Sequence, residues 1–202
     1  MWRKLEISLG RQGEIKMNDS EALFQRLAII TKLVEKAPTN FGRTALMKCL
    51  FFLKVLKGVP LPYSFSLYTY GPFDSDVLSD LQYAETLGAV RSNITYHSSG
   101  YQYEFSRGPT AEKICNRVKE FLSSHENSIE WVVETFGKRS ASDLEMASTL
   151  IYVDRTLAGH NKRASIDELA KKVHSIKPHL SEENIRKEAA ELEEKGLLES
   201  VV

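Results

Sequence analysis

The sequence predicts a mainly helical α+β chain, on three observations. Apolar residues recur at helical spacing through most of the 202 residues. Two alternating runs, Val90 to Tyr96 and Tyr101 to Ser106, flank a short polar loop and read as a β-hairpin. Within 19–107 the order is helix, helix, strand, helix, hairpin, and from 108 to 202 only helices follow.

Residues 1–18 are polar, hold Gly10 and Gly13, and read as an arm or edge strand in which Leu5, Ile7 and Leu9 alternate; Met17 is a second candidate start. A helix from about Ser20 to Lys36 carries Leu23, Leu27, Ile30 and Val34 and stops before Pro38. The next, Arg43 to Lys57, is apolar nearly all round from Leu46 to Leu56, which places it mid-core, and Gly58 closes it. Phe65, Leu67 and Thr69 alternate with Ser66, Tyr68 and Tyr70, a strand, and Gly71-Pro72 reads as a turn.

Asp74 is an N-cap, and Phe73 with Leu78 a hydrophobic staple, for a helix running to about Leu87. Val77, Leu81 and Ala84 face inward there, and Gly88 stops it. The hairpin loop is His97-Ser98-Ser99-Gly100.

Beyond Pro109 the pattern gives a helix from Thr110 to Ser123, then a second around Ile129, Val132, Val133 and Phe136. Ser140 with Asp143 starts a third, and Ser165 with Glu168 forms a capping box for a fourth. Ser181 caps a fifth, with Leu180 and Ile185 as staple, ended by Gly196. Domains follow as an arm at 1–18, a first domain at 19–107 and a helical region at 108–202 packed on it. The first domain has the element order of a winged helix with a small hairpin wing. The last two helices resemble a trimmed helix-turn-helix unit.

Lys plus Arg and Asp plus Glu both number 27, so the net charge is zero and no basic surplus points to nucleic acid or membrane. No apolar run reaches the length of a membrane span, and no apolar stretch follows Met1-Trp2-Arg3-Lys4 as in a signal peptide. Cys49 and Cys115 fall among apolar helical positions, so buried thiols in a reducing cytoplasm are expected.

A winged helix suggests DNA binding, but the helix that would enter the groove, 74–87, holds Asp74, Asp76, Asp80 and Glu85 and no Lys or Arg. The hairpin tip carries no permanent positive charge, and the last helix, 181–195, has six acids against three bases. DNA reading is therefore disfavoured, and its alternative basic face is Lys138, Arg139, Lys162 and Arg163, with Lys171-Lys172 beside them. His97, His125, His160, His174 and His179 make no zinc spacing with Cys49 or Cys115. No nucleophile elbow or phosphate-cradling glycine loop occurs, so no cofactor, metal or catalytic residue is expected, and a hydrolase survives only through a non-local site.

One segment is dense in aromatics: Tyr63, Phe65, Tyr68, Tyr70 and Phe73 lie within eleven residues. Tyr68 and Tyr70 point away from Phe65 and Leu67; the C-terminal helices are expected to cover them, and without that cover they form a surface suited to a protein partner.

The runs Leu46-Met47-Lys48-Cys49-Leu50-Phe51-Phe52-Leu53 and Tyr68-Thr69-Tyr70-Gly71-Pro72-Phe73, then Asp80-Leu81 and Leu87-Gly88, resemble the YwgA-like family of uncharacterised bacterial and archaeal proteins. Ser142 to Ser148 and Lys195-Gly196-Leu197-Leu198 extend the likeness over about residues 20–200. More distantly the chain is similar to the Panacea, SocA-like antitoxin domain, though Met47-Lys48-Cys49 departs from that domain's Gln-Lys-Leu. That resemblance implies a regulatory module acting by protein contact and transfers no catalytic residue. The expected contact residues are Tyr68, Tyr70, Gly71 and Pro72, with Asp76, Asp80 and Glu85 steering a basic partner of unknown identity.

Overall fold

Helix α2 (Arg43–Lys57) runs through the middle of the molecule, because every side chain from Leu46 to Leu53 is buried. Helix α1 (Asp19–Lys36), α5 (Lys119–Phe136) and α6 (Ala141–Gly159) pack on it. The computed structural model describes residues 19–38, 41–97 and 100–202. The arm at 1–18, Met17 with it, and the hairpin tip at Ser98-Ser99 lie outside the described residues.

The order along the chain is α1, α2, β1 (Ser66–Tyr68), β2 (Gly71–Phe73), α3 (Ser75–Thr86), β3 (Val90–His97), β4 (Gly100–Arg107), α4 (Ala111–Arg117), α5, α6, α7 (Ile166–Ile176) and α8 (Glu182–Glu194). The described residues are thus mainly helical, with two small antiparallel hairpins, an α+β class. Buried apolar side chains from both 19–107 and 108–202 form one continuous cluster, in which Phe52 of α2 stacks on Phe136 of α5 with centroids 3.9 Å apart. No helix among the described residues is long and apolar enough to cross a membrane.

Helix starts are set by local chemistry. Asp74 accepts from the Asp76 amide, Ser140 from Asp143 and Ser181 from Asn184, while Ser165 and Glu168 close both halves of a capping box. The same backbone bond holds the exposed Glu168 carboxyl below its ordinary range.

Two expectations are corrected. Gly71-Pro72 is not the turn: the chain reverses at Thr69-Tyr70, and Gly71 to Phe73 form β2, pairing Tyr68 with Gly71 and Ser66 with Phe73. Alternation alone could not reveal this, because a three-residue strand holding a proline has no period to read. The helix expected from Thr110 to Ser123 instead breaks at Val118, and α5 runs unbroken to Phe136. Leu122, Ile129, Val132, Val133 and Phe136 are one buried stripe, so the polar Ser123-to-Ser128 stretch is its solvent face, not a connection.

Candidate functional site: an aromatic turn over a buried charge cluster

The β1–β2 turn sits on three elements. Helix α2 supplies Lys48, which is 2% exposed and donates to the Pro72 carbonyl at 2.7 Å. Helix α6 supplies Glu145, Ser148 and Thr149, which lie under Gly71. The residue just past α7, Lys177, is buried and donates to the carbonyls of Tyr68 (2.8 Å) and Thr69.

Gly71 has φ 85°, and a Cβ there would lie 3.0 Å from Ser148 Oγ and 3.1 Å from Thr149 Oγ1. Handedness and close approach together require glycine.

Beneath the turn two lysines, Lys48 and Lys177, share one carboxylate, Glu145. Glu145 Oε1 lies 3.1 Å from Lys177 Nζ and 3.2 Å from His179 Nε2. Neither contact aligns as a hydrogen bond, so this buried oxygen is held by charge. Lys48 is pushed down to about 8, chiefly by burial, with Glu145 opposing the shift and Lys177 adding to it.

Above this cluster lies an open cleft of about 490 Å³, lined by Tyr68, Thr69, Tyr70, Ile176, Lys177 and His179, with Leu67 at its edge. Tyr68 is 66% exposed, Tyr70 68% and Ile176 40%. The C-terminal region thus fastens the backbone of the turn and leaves both rings in solvent, which corrects the expectation that it covers them.

The other sequence candidates divide. Gly71 and Pro72 are buried, so they set the turn from below and present no surface. Asp76 is exposed and Glu85 half-buried. Asp80, expected to face a partner, lies on the buried side of α3: Arg26 donates to it from Nε (2.7 Å) and Nη2 (3.2 Å), and Tyr63 OH at 2.9 Å. Position 80 falls on the same helical stripe as Val77, Leu81 and Ala84, which a count of acids does not register.

On the basic side, Lys138 and Lys162 are exposed. Arg139 is ion-paired to Glu188 at 2.5 Å and lies over the Phe136 ring, and Arg163 donates to the Glu199 carbonyl. Two of the four cations are therefore engaged within the fold.

Lys48, Glu145, Lys177, His179 and Ile176 were missed as members of the site. Only Lys48 carried a signal, as the one charge inside the apolar run Leu46 to Leu53. The others come from elements about 75 to 110 residues away along the chain.

The site's chemistry is limited. Lys177 donates to two carbonyls and is ion-paired with Glu145. Glu145 and His179 form a carboxylate–imidazole pair, yet among the described residues no hydroxyl or thiol is hydrogen-bonded to His179 that it could activate. A second, smaller cavity of about 180 Å³ is lined by Lys32, Lys36, Cys115, Lys119 and Glu126. Lys32 is paired with Glu35 (3.0 Å) and Lys36 with Glu130 (2.5 Å), and burial pushes the Cys115 thiol up, so no thiolate is ready there. Among the described residues no cluster of His, Cys, Asp and Glu could hold a metal ion. No family model matches the chain, and no curated protein matches it.

Proposed function

We propose that this chain is a non-enzymatic protein-binding module, winged-helix-like in its first half, whose contact surface is the Tyr68–Tyr70 turn with Ile176. The observation that carries the reading is the exposure of two tyrosines on a turn anchored from below by Lys48 and Lys177. Tyrosines lose little rotamer entropy on binding, and a backbone already fixed adds little ordering cost. Asp76 is the acid left to steer a basic partner, while Asp80 belongs to the fold.

A regulatory role of the antitoxin or defence kind, as the family resemblance implies, is part of this proposal. So is a cytoplasmic location, which the two buried free thiols support. Duplex DNA is the less favoured partner, because Arg139 and Arg163 are occupied and α3 carries no cation. A hydrolase is less favoured still, for want of a nucleophile beside His179.

The Tyr68→Ala, Tyr70→Ala double variant tests the reading. Its circular dichroism and unfolding midpoint are expected to match the parent, since both rings are in solvent. Its capture of the partner that the parent retains is expected to fall at least tenfold. Undiminished capture places the contact surface elsewhere.

A further inference from the structure

We propose that the free edge of β3 is the contact of a two-fold dimer, pairing antiparallel with β3 of a second copy of this chain. The inference starts from an asymmetry between the two edges of the β3–β4 sheet. The outer edge of β4 is covered at Tyr103 to Phe105 by the chain entering α2. The Phe105 amide donates to the Phe41 carbonyl at 3.1 Å, and Gly42 comes so near that a Cβ there would sit 2.7 Å from the Tyr103 carbonyl oxygen. The outer edge of β3 has no such cover among the described residues.

This open edge is long, and the charge that proteins use to block strand pairing is missing from most of it. Val90 is buried at its foot, while Arg91, Ser92, Asn93, Ile94 and Tyr96 are exposed. From Ser92 to His97 the strand holds no Lys, Arg, Asp, Glu or Pro. Ile94 is 46% exposed and Tyr96 79%, on the same face of the strand as Ser92.

A two-stranded sheet is marginal in water, and pairing through β3 makes it four-stranded. A second copy is the occupant because the edge is complementary to itself. A two-fold axis at Ile94 sets Ile94 against Ile94 and Ser92 against Tyr96, with no like charges opposed in that row. The whole molecule is neutral as well, with 27 bases and 27 acids, so two copies approach without net repulsion.

Sedimentation velocity on the full chain at roughly 50 µM, above the micromolar Kd of a weak specific interface, tests this. The expected mass is twice the 22.9 kDa of one chain. Ile94→Lys and Ile94→Glu are each expected to sediment as monomers, because like charges then face each other across the axis. An equal mixture of the two is expected to recover the double mass, because Lys then faces Glu. The Tyr68→Ala, Tyr70→Ala variant is expected to stay dimeric, which separates this interface from the proposed partner surface. A monomeric parent overturns the proposal, in favour of a different strand donor or none. So does a dimer that survives both charge variants, or one lost only in the tyrosine variant.

Discussion

Lys48 holds its ammonium where burial leaves one hydrogen-bond acceptor, the Pro72 carbonyl, and two opposing charges, Glu145 and Lys177. Its proton affinity therefore drops on folding, from the ordinary 10.5 to about 8. Between those pH values the unfolded chain holds more protons than the native one. Stability from this group thus rises with pH across that window, and below about pH 8 the native state carries the whole cost of burying the charge. In urea unfolding at the two ends of the window, the change in stability with rising pH is expected to be more positive in the parent than in Lys48→Met, since the raised thiols contribute equally to both. A Met variant that keeps the parent's slope places the titration elsewhere. The buried thiol of Cys49 is pushed up from 9.0 to about 12 by burial alone, so it keeps its proton in the native state while the unfolded thiol loses it. It therefore lowers stability with rising pH from about 9 and opposes Lys48; the difference between parent and Lys48→Met removes this contribution. Tyr63 is also raised, by burial and by the Asp80 carboxylate it donates to, so its hydroxyl stays a donor throughout.

The β1–β2 hairpin has only three residues in each strand and does not stand by its own pairing. Its position comes from α2, α6 and the end of α7, and Lys177 is the tie that spans the greatest distance along the chain. Removing that ammonium leaves two carbonyls without its hydrogen bonds and Glu145 buried without its nearest ammonium, with Lys48 as the remaining lysine of the cluster. Lys177→Met is accordingly expected to cost on the order of 3 kcal/mol, the scale for breaking a buried ion pair. Amide exchange at 68–70 should accelerate more than in α2. Adding Glu145→Gln should recover part of the loss, because no unpaired carboxylate then remains; a double variant less stable than the single one would contradict this account. The same contrast explains what the sequence disclosed. The caps at Asp74, Ser140, Ser165 and Ser181 use a side chain and an amide two or three residues apart, so they are readable in one pass. The strand containing Gly71-Pro72 is fixed by Lys48 and by α6, which no local pattern encodes, so the dipeptide alone reads as a turn.

Across the whole molecule, the alternation that turns Tyr68 and Tyr70 away from Phe65 and Leu67 and the anionic character of 74–87 are legible in the sequence, while the exposure of the two rings and the burial of Asp80 are not. That burial changes the electrostatic case against DNA without reversing it. Arg26 balances Asp80, and Asp74 is turned inward to the amides of Ser64 and Asp76, so the outward acids of α3 reduce to Asp76 and the half-buried Glu85. The helix nevertheless offers a phosphate no cation: its exposed face is Ser75, Asp76, Ser79, Gln82, Tyr83 and Thr86. Of the alternative basic face, Lys138, Lys162 and Arg163 have no ion-pair partner among the described residues, and three cations release too few counterions for firm binding. Duplex binding measured by fluorescence anisotropy is therefore expected to be weaker than about 10 µM at low salt, with a log–log salt slope no steeper than about −3, one unit for each cation of the 138–163 face without an ion pair. A protein that neutralises six phosphates shows a slope near −5 on the same scale. Tight binding with that steeper slope requires cations that α3 and the 138–163 face do not provide, and it would transfer the function from protein contact to nucleic acid.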